Sequence, residues 1–123
     1  TQRGRVWEYQ GIDRTISTVS VSDSLVYAAD YAGVIHCLEA ATGKLLWKHD
    51  TLSHIWGSTL VVDDKLFIGN EDGYLIILRA GREKELIAEI EFPSPIYSSP
   101  VVANDVLYVA TQTHLFALQD GNP

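Results

Sequence analysis

The sequence holds one cysteine, Cys37, and no methionine. A single cysteine excludes an intramolecular disulfide and any multi-cysteine zinc site. Basic residues are scarce: 9 Lys+Arg stand against 16 Asp+Glu, a formal net charge of −7. A domain this acidic is a poor candidate for binding nucleic acid or an anionic membrane surface. No apolar run approaches the ~20 residues of a transmembrane helix, so membrane insertion is not expected. Catalytic signatures are missing as well. There is no Gly-x-Ser-x-Gly elbow, no phosphate-binding loop and no dinucleotide fingerprint. No closely spaced His or Cys pair suits a structural zinc ion. Asn70-Glu71-Asp72-Gly73 is acidic but lacks the alternating oxygen ligands of a calcium loop, and reads as a turn. The chain opens at Thr1 without a signal-peptide pattern, as a processed or excised piece would.

What is present is a globular composition, 46% hydrophobic and 20% charged over 123 residues. That is enough apolar side chain for a packed core in one domain at most. A repeat divides it. Ser17 to Leu38, Gly57 to Leu78 and Ser98 to Leu118 align, with Tyr27, Phe67 and Tyr108 in one column and Leu38, Leu78 and Leu118 in another. Self-similarity at about forty residues is the mark of repeat architectures.

Within each copy apolar residues alternate with period 2, as in Val19, Val21, Leu25 and Tyr27, which fits strands rather than helices. Between the runs lie Ser22-Asp23-Ser24, Asp63-Asp64-Lys65 and Asn104-Asp105, and the turns that carry Gly33 and Gly73. Asp, Asn and Gly tolerate the positive φ of tight hairpins. A fourth strand follows at Leu45 to Lys48 and at Leu86 to Phe92, and Arg5 to Tyr9 reads as a lone outer strand of the same kind. The expectation is an all-β chain of twelve strands. It is three four-stranded antiparallel blades of a β-propeller, part of a larger ring, with repeats at approximately 16–48, 56–92 and 97–119 and the lone strand at 5–9.

The stretch Gly33-Val34-Ile35-His36-Cys37-Leu38-Glu39-Ala40-Ala41-Thr42-Gly43-Lys44-Leu45-Leu46-Trp47 resembles the pyrroloquinoline-quinone-like (PQQ-like) propeller repeat. That family pairs a Gly turn and an apolar strand with Ala-x-x-Thr-Gly-Lys-x-x-Trp. Ser98 to Val109 is similar to its inner two strands. The resemblance implies structural docking roles for Thr42 and Gly43 in the turn, and for Trp7 and Trp47 as staples across to the next blade. Copy two has no such Trp, and copy three stops before its fourth strand.

Propeller ligands commonly sit at the mouth of the central channel, near the starts of the inner strands. Aligned by repeat, Arg14, His54 and Pro95 share one position there, and Ile16, Trp56 and Tyr97 another. Arg14, His54, Trp56 and Tyr97 are therefore the candidate ligand-binding residues, suited to a carboxylate or an aromatic group. His36 reads as a buried histidine bonded within its blade, Cys37 as core, and His49 and His114 as exposed or locally satisfied. No catalytic residue and no metal ligand is expected.

The resemblance relates the chain both to quinoprotein dehydrogenases and to propellers that support outer-membrane protein assembly. The reading is a non-catalytic propeller segment serving as a binding or protein-interaction scaffold, with no cofactor. The alternative is a part of a PQQ-dependent quinoprotein dehydrogenase, whose PQQ and calcium ligands lie in other blades. Expected partners are the remaining blades of a longer parent chain, or a second copy completing the ring, and a protein partner. A periplasmic or extracellular location follows from the resemblance alone.

Overall fold

The computed structural model describes residues 4–119. Its eleven strands form three antiparallel meanders. Blade 1 holds β1 (Ser20–Ser22), β2 (Leu25–Ala29), β3 (Val34–Glu39) and β4 (Leu45–Asp50). Blade 2 holds β5 (Leu60–Val62), β6 (Lys65–Gly69), β7 (Tyr74–Arg79) and β8 (Leu86–Glu91). Blade 3 holds β9 (Val101–Ala103), β10 (Val106–Ala110) and β11 (Leu115–Gln119). In every blade the strands pair in sequence order. No strand forms over residues 5–9, against the sequence expectation. A ladder needs a partner strand, and none of the described residues supplies one there.

Turn chemistry sets the register. Asp23 and Ser24, and likewise Asn104 and Asp105, take positive φ at the two-residue turns joining first and second strands. That is the mirror-image turn whose twist suits a hairpin. The turn between second and third strands is closed by an Asx side chain. Asp30 accepts the Val34 N–H through Oδ1 at 3.0 Å, and Asn70 accepts the Tyr74 N–H at 3.1 Å. Gly33 and Gly73 complete these turns at φ 107° and 89°, where a β-carbon would be strained.

Blade 2 buries both faces because it is packed between blades 1 and 3, so its middle strands are apolar on both sides. Tyr27, Ile35, Cys37 and Trp47 of blade 1 meet Leu66, Ile68, Ile76 and Leu78 of blade 2. The other side of blade 2 presents Phe67, Leu75 and Ile77 to Val109 of blade 3, with Leu107, Phe116 and Leu118 partly buried beside them. Burial pushes the Cys37 thiol up to about 11, against a smaller opposing pull from Arg82 and a hydrogen bond with Tyr27.

The innermost strands are laced by short polar side chains, a pattern that composition had not shown. The Thr18 N–H donates to Ser58 Oγ at 2.8 Å, and the Ser58 N–H donates to Ser99 Oγ at 2.7 Å, one repeat further on. Ser20 adds contacts to the Thr59 carbonyl and hydroxyl. The backbones come so close that a β-carbon on Gly57 would collide with the Ser98 carbonyl.

Two tryptophans dock on the loops that join third and fourth strands. The Trp7 indole N–H donates to the Ala40 carbonyl at 2.7 Å, and its ring lies where a Gly43 β-carbon would stand, within 2.5 Å. Trp47, one repeat later, donates to the Gly81 carbonyl at 2.9 Å and packs against Tyr27. Thr42 holds the intervening turn through Glu39, at 2.7 Å.

Two histidines depart from each other. His36 Nε2 lies 2.9 Å from Asp30 Oδ2, and its Nδ1 lies 3.1 Å from the Tyr9 hydroxyl. His49 corrects the sequence expectation of an exposed or satisfied ring: both of its nitrogens are buried without a hydrogen-bond partner among the described residues. The repeat explains the contrast. Tyr9 and His49 are one repeat apart, as are His36 and Ile76. Tyr9 therefore finds an imidazole opposite, whereas His49 falls where that position is an isoleucine.

Candidate functional site

In a four-stranded meander the start of the first strand and the turn between second and third strands lie at the same end. Backbone bonds tie these two loops together in each blade. The Tyr31 N–H donates to the Arg14 carbonyl at 2.7 Å, the Glu71 N–H to the His54 carbonyl at 2.8 Å, and the Gln112 N–H to the Pro95 carbonyl at 2.8 Å. Each pair is separated by the same number of residues, so the three blades present equivalent loop pairs to one rim.

On that rim the four candidate residues join a single row through Tyr31. The Arg14 guanidinium stands over the Tyr31 ring, 4.6 Å from its centroid. The His54 imidazole stacks on Tyr31 at 4.3 Å with an interplanar angle of 10°. Trp56 meets Tyr31 at 5.0 Å and Tyr97 at 5.8 Å, both near perpendicular. The indole N–H of Trp56 donates to Glu71 Oε1 at 2.7 Å. Edge-to-face and offset pairs of this kind are favoured by the ring quadrupole, and cation–π contact adds to them at the Arg14 end.

Sequence reasoning missed Tyr31 and Glu71, which it took only as turn residues. The signal was available: both sit in second-to-third-strand turns, which the meander brings to the mouth.

The row is built yet open. Trp56 is 40% exposed and Tyr97 42% exposed, while Ile55 and Ile96 beside them are buried between blades and anchor their loops. His54 Nδ1 lies 2.9 Å from the Tyr31 carbonyl. A carbonyl only accepts, so Nδ1 carries the proton and Nε2 is left for a ligand. The surface thus offers a planar cation at Arg14, a stack of rings, and a carboxylate at Glu71.

Below the row, burial raises the Asp30 carboxyl but is outweighed by hydrogen bonds from His36, Val34 and Asp13, which hold it below its ordinary value. This buried acid and its histidine close a turn and lie under Tyr9 rather than on the rim.

A quinone and calcium belong only to the alternative reading, in which their ligands lie in other blades. The described residues hold one cysteine, Cys37, buried between blades. No three His, Cys, Asp or Glu side chains among them come together to hold a metal ion. The row is crowded at Trp56, whose ring is met near right angles by Tyr31 and Tyr97.

Three meandering sheets packed face to face around a common inner edge define a segment of a β-propeller. Comparison with known proteins places it more closely. Residues 1–83, and again 32–122, match the PQQ-like family model described as outer membrane protein assembly factor BamB. The chain belongs to that family. It is 30% identical over 73 residues to the quinoprotein alcohol dehydrogenase PedH of Pseudomonas putida, a match covering 58% of this chain and 12% of that protein. Its fold is similar to that of BamB from Moraxella catarrhalis, with a TM-score of 0.75, 20% identity, and coverage of 85% of this chain and 33% of the other. It is also similar to the quinohemoprotein alcohol dehydrogenase ADHIIG of Pseudomonas putida HK5, with a TM-score of 0.73, 22% identity, and coverage of 83% and 17%. The chain therefore spans a third or less of each of these relatives. Among the described residues no helix is long and apolar enough to cross a membrane.

Proposed function

We propose that this chain is part of a non-catalytic propeller that binds a protein partner at its channel mouth, in the periplasm. The row Arg14–Tyr31–His54–Trp56–Tyr97 carries the reading. Exposed, mutually supported aromatics with an adjoining Arg are the composition of interface hot spots. Rings braced by one another lose little rotamer freedom on binding, which favours affinity. Family membership supports a role in outer-membrane protein assembly, since the family model carries that description. The remaining blades would come from a longer parent chain or a second copy.

The test uses the intact protein with a photo-crosslinking amino acid at position 97. The expected result is a discrete adduct that Trp56→Ala removes and an exposed control substitution at Asp64 does not. Adducts indifferent to Trp56 would refute the mouth as the site.

The likeness to the alcohol dehydrogenase of Pseudomonas putida favours a second reading, in which the chain is part of a quinoprotein dehydrogenase. Its PQQ and calcium would then be held by residues outside this chain. Titration of the intact protein with pyrroloquinoline quinone and calcium separates the two. Quinone binding with dye-linked alcohol oxidation overturns the scaffold reading, and a flat titration removes the enzyme reading.

A further inference from the structure

The second blade boundary lacks a part that the first one has. At the boundary of blades 1 and 2, Trp47 of β4 pairs across the ladder with Cys37 and fills the space between the sheets. At the boundary of blades 2 and 3 the same ladder position, opposite Ile77, is Ala88 of β8. A single methyl group stands where an indole would reach.

Between blades 2 and 3, lined on this side by Ile77 and Ile90, the two residues nearest Ala88 in the ladder and along the strand face, lies a cleft of about 800 Å³. Its walls are the counterparts, one repeat on, of the residues clustered with Trp47. Phe67 stands for Tyr27, Ile77 for Cys37, Lys65 for Leu25, Val102 for Val61, Leu107 for Leu66 and Leu118 for Leu78. Ile90, the next residue of β8 on the face of Ala88, closes one side. The volume lies in the range of small-molecule pockets, with room for a ring and the residues that flank it, and the lining is predominantly apolar.

The rim is acidic. Asp63 and Asp105 stand at it, and the one lysine on the wall, Lys65, is within 3.5 Å of Asp64.

We propose that this cleft is a docking site for an aromatic side chain of a partner protein, carried next to a basic residue. The partner's ring takes in trans the place that Trp47 takes in cis at the preceding boundary, and its neighbouring cation meets Asp63 and Asp105. The lining repeats the residues clustered with Trp47, and blade 2 carries Ala88 at the ladder position of that Trp. This site is separate from the mouth and does not depend on the reading proposed for it.

Three blocked peptides test the idea on the intact, isotope-labelled protein: acetyl-Gly-Trp-Lys-amide, acetyl-Gly-Leu-Lys-amide and acetyl-Gly-Trp-Glu-amide. The expected result is saturable methyl shifts at Ile77, Leu107 and Leu118 with the Trp-Lys peptide, in the low-millimolar range that one anchored side chain supports. The Leu-Lys and Trp-Glu peptides should each bind several-fold more weakly. Ala88→Trp should abolish the shifts by filling the slot. Ile90→Lys, a change at a partly exposed wall residue that spares the fold, should weaken them about tenfold. Trp56→Ala should leave them unchanged, which separates a failure here from a failure at the mouth. Absence of saturable shifts, equal binding of the Leu-Lys peptide, indifference to both variants, or contacts in the free protein showing the cleft filled by another stretch of the same chain would each overturn the proposal.

Discussion

Replacing Trp47 with alanine tests the packing argument most directly. The side chain is 8% exposed and joins two blades. Burial of a Trp removes about 200 Å² of surface from water. At about 25 cal/mol per Å² this is worth about 5 kcal/mol, and a compact unfolded chain lowers it to about 3–4 kcal/mol. Loss of the indole N–H to the Gly81 carbonyl, a bond of 2.9 Å, adds about 1 kcal/mol. The expected cost is therefore about 4–5 kcal/mol, against the 5–15 kcal/mol that holds a typical domain together. Trp47→Phe, which keeps a ring but loses the donor, should cost less than half as much. Trp7→Ala should also cost less, because Trp7 is only half-buried. The assay is urea denaturation of the intact protein, followed by far-UV circular dichroism so that loss of a fluorophore does not matter. The reasoning fails if Trp47→Ala shifts stability by less than about 1 kcal/mol, the size of a surface change, or if Trp47→Phe costs as much as alanine.

Other outcomes follow from single positions. Gly57→Ala drives a β-carbon into the Ser98 carbonyl and should lower stability by about 1–3 kcal/mol, the usual cost of forced overpacking, read as a drop in urea midpoint. His49→Leu removes two buried, unpartnered nitrogens and should raise stability by about 1 kcal/mol. The same variant changes the pH dependence. Burial, and then the nearby Lys84, hold His49 below its ordinary value, with Glu89 and Asp50 opposing. The unfolded chain takes up a proton below about pH 6.5 while the folded one does not. Stability is thus lost as pH falls from about 6.5 toward the depressed folded value, and thermal melts at pH 7.5 and 5.5 should differ less for His49→Leu than for the natural protein. Cys37, fully buried with its thiol pushed up to about 11, should resist alkylation by iodoacetamide at pH 8 until denaturant is added, and rapid labelling of the native protein would contradict its place in the core.

Much of the architecture was legible because its causes are local. Strand period, Asx turns and positive-φ positions such as Asp23, Asn104 and Gly33 act within a few residues, so the blades could be read from Ser17 to Leu118. Arg5–Tyr9 misled for the complementary reason. Its composition suits a strand, but strand structure exists only with a hydrogen-bonded neighbour.

The candidate site was legible in part. Repeat alignment placed Arg14 beside His54 in the pattern, and Trp56 beside Tyr97, but could not show that Tyr31 links them. That contact depends on the angle between blades, which no single repeat encodes. The Ser and Thr lacing from Thr18 to Ser58 to Ser99 is of the same kind: each residue is ordinary in its own strand and acquires its role from a backbone about forty residues away.

By itself, then, the sequence determined the repeat, its all-β character and its propeller family, because alternation, turns and the Trp-bearing motif are properties of short segments. Tertiary structure alone decided what the blades do to one another. It closed the row at the rim, left His49 buried without a partner among the described residues, and opened a cleft between blades 2 and 3. Those outcomes arise where two repeats that differ in sequence are packed face to face, and a difference between repeats has no physical consequence until the sheets meet.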